Sequence, residues 1–338
     1  MEPIQIAMTP MAMVTMLNLS KFKILLIVLL CLCMSSCDSQ ERKSKMIKQH
    51  VTLKLGKQGE ESFRQAHAHV DDVTAPSDVV GFMELRWWTA DQLGTVTIDH
   101  GGHKINFPHT IFALGTSWPD HPDEGVTGLA LHTGITAPEY VRHEEAWKTW
   151  QALLKHVQEN GWQSMIFNYN ARVRGEEAYN YIMANEHSID VAFDASHDLN
   201  YVQWHNLLNK RGSLLAFFYQ DGAYLTLSLN KEIVMEDELA AKKLNLNLDE
   251  WGQYIVYVEF DTVRDYNRNA MLSALPKNEG DTELKIEQNL PFYWQELKQL
   301  HANRREKAEQ KAIQQGFKID TSYQDPDITP YLQSKPAF

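Results

Sequence analysis

The chain has 338 residues, with 32 lysines and arginines against 44 aspartates and glutamates, so its formal net charge at pH 7 is −12. This excess of negative charge repels phosphate backbones and anionic lipid headgroups, which excludes nucleic-acid binding and a polybasic membrane patch. The acidity favours a basic protein partner, although solubility alone is an equally good reason for it.

The N-terminal region has the order of a signal peptide. Lys21 and Lys23 precede an apolar run, Ile24 to Met34, that ends at Ser35-Ser36-Cys37. A helix of about eleven residues is roughly 16 Å long, which is too short for a ~30 Å hydrocarbon core. Met16 would begin a short basic region directly, so we expect translation to start there.

The residues Met34-Ser35-Ser36-Cys37 resemble the lipobox of bacterial lipoproteins, in which the cysteine thiol carries a diacylglycerol. Met34 stands where leucine is usual. The resemblance implies that residues 1–36 are a lipoprotein signal peptide and that Cys37 is the lipidation site. Asp38 after the lipidated cysteine implies retention in the inner membrane, facing the periplasm. The alternative is a secretory signal cut elsewhere, with Cys37 an incidental thiol.

The cysteine count agrees with lipidation. The chain has three cysteines, Cys31, Cys33 and Cys37, and cleavage before Cys37 leaves one. A lone thiol in a secreted protein is expected to pair between chains or to carry a modification. No disulfide bond is therefore expected within the fold.

Composition divides the remaining chain into two parts. Residues 37–75 are polar and charged, which predicts a tether that holds a domain off the bilayer. Within the tether, Val51 to Leu55 alternates with period two and predicts a first strand. Residues 76–330 are predicted to form a globular α+β domain, either undivided or in two subdomains that meet near residue 190.

Short β-rich runs, broken by glycine and proline, fill the first part of this domain, with Gly101-Gly102 as a hairpin turn. The predicted strands are Val79–Trp88, Thr95–Asp99, Lys104–Phe107 and Gly128–His132. The clearest helix follows, with Thr136 as N-cap, Glu139 closing a capping box and Asn160-Gly161 at its end. Shorter helices are predicted at Gly175–Asn185 and at Tyr201–Asn209, the latter with Val202 and Trp204 available for burial.

The strongest β signal is Ser213 to Leu229, because Asp221-Gly222 is a type I′ turn dipeptide between two apolar runs. Counting outward from the turn gives one wholly apolar face and one mixed face. The apolar face opposes Phe218 to Leu225, Ala216 to Leu227 and Leu214 to Leu229, and the mixed face opposes Tyr219 to Tyr224, Phe217 to Thr226 and Leu215 to Ser228. Tyr254–Phe260 would add a third strand after a helical segment, Glu236–Leu244.

A long C-terminal helix is predicted over Pro291–Gln315, with Gly316 after its end. It is amphipathic at first and almost wholly polar from His301 onward, which favours a solvated helix, with a partner-binding arm as the alternative. The predicted fold is thus α+β: an antiparallel sheet with a central hairpin at Asp221-Gly222, packed against amphipathic helices, and this long C-terminal helix.

No catalytic, cofactor-binding or metal-ligating residue is assigned from the sequence. The histidine-rich spacings match no zinc signature, and surface histidines are favoured. They are His67, His69, Asp71 and Asp72, His100 and His103, and His109. The segment Asp120 to Glu124 has the residue types of a hydrolase dyad, but an Asp- and Pro-rich turn explains it. The chain lacks a G-x-S-x-G nucleophile elbow and a P-loop.

From about Ala146 to Asp320 the chain resembles periplasmic immunity lipoproteins encoded beside type VI secretion toxins. The resemblance lies in Trp150-x-x-Leu153 through Asn160-Gly161-Trp162, Arg172-x-Arg174-Gly175, Phe218 to Leu225, and Gln314 to Asp320. It implies a non-catalytic protein that binds a secreted antibacterial toxin and blocks it, and the negative charge of the chain favours a basic toxin. The alternatives are a metal- or solute-binding lipoprotein, an envelope-structural lipoprotein and a cell-wall hydrolase.

Overall fold

The computed structural model of the chain describes residues 48–66, 69–70, 80–87, 92–185, 190–232, 243–274 and 289–333. In these ranges an eleven-stranded sheet packs with seven helices, which confirms the predicted α+β class. The strands are β1 (His50–Leu53), β2 (His69–Val70), β3 (Gly81–Arg86), β4 (Gly94–His100), β5 (His103–Ser117), β6 (Val126–Gly134), β7 (Tyr140–Arg142), β8 (Gln163–Ser164), β9 (Ser213–Gln220), β10 (Ala223–Lys231) and β11 (Trp251–Thr262). The helices are α1 (Gly59–Gln65), α2 (His143–Glu159), α3 (Gly175–Ala184), α4 (Tyr201–Arg211), α5 (Val263–Ala274), α6 (Leu290–Gln314) and α7 (Thr329–Gln333).

The strands follow the order β1-β4-β5-β6-β11-β10-β9-β8 across the sheet. Strand β1 pairs with β4 in parallel, whereas the other pairs are antiparallel. The long strand β5 pairs with β4 through its first half and with β3 through its second half. Residue His109, with φ of 62°, lies between the two halves.

The central hairpin has the predicted register. Tyr219 lies opposite Tyr224, and the pairs that follow match the count outward from the turn. Asp221 and Gly222 have φ values of 38° and 82°, as a type I′ turn requires. Because side chains alternate along a strand, a one-residue slip would have buried polar residues, so the apolar pattern specifies this register.

The two faces of the sheet are covered differently. The inner face, which includes Phe218, Leu225 and Phe260, packs against α2, α3 and α4 in one large core cluster. Near the hairpin turn the outer face carries Phe217, Tyr219 and Tyr224. These pack against α5, the first half of α6 and α7 in a second cluster.

Part of the predicted tether lies within the fold. Leu53 of β1 and Phe63 of α1 are both fully buried, and Gly56 exchanges backbone hydrogen bonds with Val126. Residues 48–66 bury apolar side chains and join the sheet. The prediction of a tether from polar composition was therefore wrong for this segment. The described residues on both sides of position 190 belong to one compact unit, Met46–Phe338. Cys37 lies outside the described residues.

The prediction for the start of α2 was wrong. The helix begins at His143, and Tyr140–Arg142 pair instead with the first residues of β11. The Thr136 hydroxyl donates to the Pro138 carbonyl, and the Glu139 carboxylate accepts from Gln253, so no capping box forms. Tyr140 and Val141 favour strands, and a strand partner more than 100 residues away keeps them extended.

The end of α2 and the positions of α3 and α4 agree with the prediction. Helix α2 ends at Glu159, where Gly161 has φ of 90°, and α3 begins at Gly175 as expected. In α4 the side chain of Trp204 is fully buried, but Val202 is 63 % exposed, contrary to expectation. Most of the predicted helical segment Glu236–Leu244 lies outside the described residues.

The polar half of α6 is solvated on one side only, because its other side packs on the fold. Ala308 and Ala312 are buried in the main core cluster. Around them, Arg172 donates to Glu309 at 2.7 Å and Lys311 pairs with Asp190 at 2.5 Å. Glu309 and Lys311 therefore bind partners elsewhere in the same chain, whereas Glu306 and Lys307 are exposed. No helix in the described residues is long and apolar enough to cross a membrane.

Candidate functional site

The outer face of the sheet, away from the hairpin turn, carries a row of side chains that crosses six strands. Strand register places these residues directly opposite one another, in the order Arg86, Phe112, His132, Tyr257, Ser228 and Leu215. We call the first four, which are Arg86 and the three rings that follow it, the aromatic row. Each of these four is half-buried.

The rings of the aromatic row contact each other across the strands. The ring centroids of Phe112 and His132 are 5.2 Å apart, and those of His132 and Tyr257 are 4.6 Å apart at an interplanar angle of 82°. The guanidinium carbon of Arg86 lies 5.3 Å from the centre of the Phe112 ring. Cross-strand aromatic pairs and cation–π contacts of this kind stabilise a sheet and also give it a rigid surface.

Burial keeps the two titratable rings of the row neutral. It lowers the pKa of His132 to about 4. Burial, reinforced by the nearby Glu232 carboxylate, raises the pKa of Tyr257 to about 12. The Tyr257 hydroxyl donates to Glu232 at 3.4 Å. At neutral pH the row therefore presents uncharged aromatic surface between one arginine and nearby carboxylates.

Acidic and small residues lie beside the aromatic row. The neighbouring cross-strand row is Glu84, Leu114, Ala130, Glu259, Thr226 and Phe217. Glu84 forms an ion pair with Arg86, and Glu259 is exposed. Phe82 and Leu215, at two edges of this face, are 39 % and 43 % exposed. Aromatic and arginine side chains with exposed apolar neighbours are typical of protein–protein interfaces.

The segment Asp120–Glu124 lies away from the aromatic row and contributes Glu124 to a buried cluster of charged residues. Asp120 is exposed, whereas the Glu124 side chain is buried and accepts hydrogen bonds from Arg268 at 2.7 and 2.8 Å and from Arg264 at 3.0 Å. Asp265 accepts from Arg268 and, at 2.6 Å, from the Trp118 indole. We call Glu124, Arg264, Asp265 and Arg268 the buried charge cluster. Its carboxylates are occupied by arginines, so this geometry favours a structural role.

His100 and His103 are close in the β4–β5 turn but bind different groups. His100 donates from Nε2 to the Asp221 carbonyl, while His103 donates from Nδ1 to the Asn160 carbonyl and accepts from the Gln220 amide. Burial lowers the pKa of His100. These contacts join the β4–β5 turn to the hairpin turn and to the end of α2.

Of the remaining histidine candidates, the structure describes the side chain of His109. His109 lies at the bend of β5, and burial lowers its pKa. His67, Asp71, Asp72 and the His69 side chain lie outside the described residues. Within the described ranges, no group of three His, Cys, Asp or Glu side chains is arranged to hold a metal ion.

A second histidine cluster, which the sequence did not suggest, lies at the start of α2. The Tyr254 hydroxyl donates to His143 Nδ1 at 2.7 Å, and His143 Nε2 donates to the Leu248 carbonyl at 3.2 Å. The His205 ring is 5.6 Å from that of His143. Burial and the nearby Lys231 ammonium lower the pKa of both histidines. Both His143 nitrogens are occupied within the fold, which favours a structural role.

Two small clefts lie in the described part of the chain. One of about 210 Å³ lies between α2 and the bend of β5, with Phe107, Ile135 and Leu153 among its mainly apolar walls. Another of about 180 Å³ lies beside Tyr201 and Asp249. Ligand pockets usually have about 300 Å³ or more, so neither cleft favours a cofactor or a sizeable substrate.

Comparison with known proteins identifies no relative. No protein-family profile, curated protein or solved structure matches the chain. The outer sheet face is therefore the main basis for a functional proposal.

Proposed function

We propose that this protein is a membrane-anchored periplasmic lipoprotein that acts as a non-catalytic immunity protein, binding a secreted antibacterial toxin and blocking it. The observation that carries the proposal is the aromatic row on the outer face of the sheet. Three neutral or apolar rings, with His132 in contact with the rings on either side of it, present a rigid surface that loses little side-chain entropy when a partner covers it. Central aromatic residues of this kind supply most of the free energy of many protein interfaces.

The negative charge of the chain favours a positively charged partner. The chain has a formal net charge of −12, and Glu84, Glu232 and Glu259 surround the aromatic row. A basic toxin would be steered toward such a surface and would associate faster at low ionic strength. Lipidation of Cys37 would hold the antidote in the compartment that the toxin enters, since two acyl chains anchor a protein firmly.

Growth protection tests the proposal. Cells that export the toxin encoded beside this gene should survive with the wild-type protein and die with the double variant Phe112→Ala, Tyr257→Ala. The control is Val202→Ser, which changes an exposed apolar residue on the helix side of the sheet. A transporter operon in place of a toxin gene, death with the wild-type protein, or release of peptidoglycan fragments by the purified protein would overturn it.

Metabolic labelling with palmitate tests the anchor separately. The wild-type protein should incorporate label and sediment with membranes. The Cys37→Ala variant should remain unlabelled and appear in the soluble fraction or as unprocessed precursor. Equal membrane retention of the two proteins would contradict lipidation at Cys37.

A further inference from the structure

We propose that the Tyr257–His132 end of the aromatic row binds the guanidinium group of an arginine on the partner, with Glu259 as its counter-charge. This inference rests on the proposed function and deepens it, because it names the chemistry of the partner's anchor residue. It is carried by three observations: the ring geometry, an arginine already bound within the same row, and the position of the acidic side chains.

The two rings form a corner that suits a flat cation. His132 and Tyr257 meet nearly edge to face, with centroids 4.6 Å apart, and both side chains are half-buried. Their outward surfaces therefore remain within reach of a partner. A cation within about 6 Å of a ring centroid is attracted by the negative face of the ring.

The aromatic row already holds one arginine in this way. The Arg86 guanidinium lies over Phe112 at 5.3 Å and pairs with Glu84, which is two residues away on the same strand. At the other end a ring and a carboxylate without a described arginine between them, Tyr257 and Glu259, lie two residues apart on one strand and on the same outer face. Two residues along a strand span about 7 Å, so one guanidinium can stack on the ring and reach the carboxylate.

The charges that face this end are mainly negative. Glu259 is exposed on β11, and Glu232, just after β10, accepts the Tyr257 hydroxyl. The positive charge of Arg86 lies three strands away from Tyr257, at roughly 14 Å, and Glu84 balances it. Arginine suits the corner better than lysine, because its guanidinium is planar, weakly hydrated and able to stack while it binds a carboxylate.

NMR titration of the purified full-length protein in neutral detergent tests the inference, with N-acetylarginine amide as the probe and N-acetyllysine amide for comparison. We expect the arginine probe to shift the signals of His132 and Tyr257 and to bind more tightly than the lysine probe. Tyr257→Leu and Glu259→Gln should each raise the dissociation constant by about threefold or more. Tyr257→Phe, which keeps the ring, should bind as the wild type does.

The matched control is Glu145→Gln, which removes an exposed carboxylate from α2 on the opposite layer and should leave the dissociation constant unchanged. Affinity should also stay constant between pH 8 and pH 5.5, because His132 remains neutral there. Equal binding of both probes, unchanged binding by Tyr257→Leu, or an absence of shifts at the row would overturn the inference. Protection from the toxin without probe binding would refute this anchor alone, whereas probe binding without protection would refute the immunity function alone.

Discussion

At the scale of single residues, the buried charge cluster shows how position changes the role of a side chain. Glu124 and Asp265 face Arg264 and Arg268 in a setting where each side chain is less than 10 % exposed. Burial raises the pKa of Asp265, and Arg268 and the Trp118 indole oppose that rise. Two positive and two negative charges balance, so the cluster is tolerated only while all four members are present.

We expect Glu124→Gln to lower the free energy of unfolding by about 3–5 kcal/mol, because it removes the buried carboxylate that binds both guanidinium groups. Urea unfolding followed by circular dichroism measures the change. Glu145→Gln, which removes an exposed carboxylate, should stay within about 0.5 kcal/mol of the wild type. A loss below about 1 kcal/mol for Glu124→Gln would contradict the structural role given to the cluster.

At the scale of elements, the central hairpin and the C-terminal helix α7 depend on each other. A Cβ atom placed on Gly222 would overlap the ring of Tyr331, and Gly222 has φ of 82°. Glycine is therefore required twice, for the turn conformation and for the close approach of the Tyr331 ring. Leu332, beside it in α7, is buried in the second core cluster.

Gly222→Ala should lower the free energy of unfolding by more than the strain of a left-handed backbone conformation alone, because the new Cβ atom would also overlap the Tyr331 ring. Gly212→Ala is the matched control, because Gly212 has φ of 72° but no neighbouring atom lies within 4 Å of the point that its Cβ would occupy. We expect about 1 kcal/mol of destabilisation at Gly212 and about 2 kcal/mol or more at Gly222. In a Tyr331→Ala background, chemical denaturation should show the two glycine substitutions costing the same; a persistent excess at Gly222 would refute the contact with Tyr331.

In helix α6, part of a polar surface that the sequence pattern predicts to face solvent instead packs against the fold. Arg305 donates to the carbonyls of Asn170 and Phe167 and pairs with Asp325 at 2.6 Å. A polar helix face was expected to be solvated, yet here it binds two other segments of the chain. The long helix thereby joins the outer-face cluster to the main core.

At the scale of the whole molecule, buried histidines make stability depend on pH. Burial lowers the pKa of His132 and of His301 to about 4, and Arg304 and Arg305 add to the effect at His301. The unfolded chain binds these protons near pH 6.5, so it gains protons before the folded protein does. The free energy of unfolding must therefore fall as pH falls from about 6.5 to about 4.

Each of the two histidines should lower the free energy of unfolding by about 2 kcal/mol between pH 8 and pH 5. Urea unfolding at pH 8, 6.5 and 5 measures this loss. His132→Phe should make the profile shallower, because it removes one titrating group while it keeps the ring contacts. An identical pH profile for His132→Phe would show that folding does not lower the pKa of His132.

By itself the sequence determined the features whose causes lie within a few residues of each other. The register of the Asp221-Gly222 hairpin follows from a turn dipeptide and from alternation on either side of it. The end of α2 at Asn160-Gly161 and the span of α6 likewise follow from local capping and periodicity. The lipobox at Cys37 is also a local pattern, and its lipidation stays a prediction.

Only the tertiary structure decided which distant segments become partners. Tyr140–Arg142 stay extended because β11 pairs with them, and the polar half of α6 docks because Arg172 and Asp190 lie beside it. The aromatic row depends on four strands that span residues 81 to 262, so no spacing along the chain reveals it. A half-buried ring or a charged side chain looks the same in sequence whether it faces solvent or a partner, because strand order and packing set that environment.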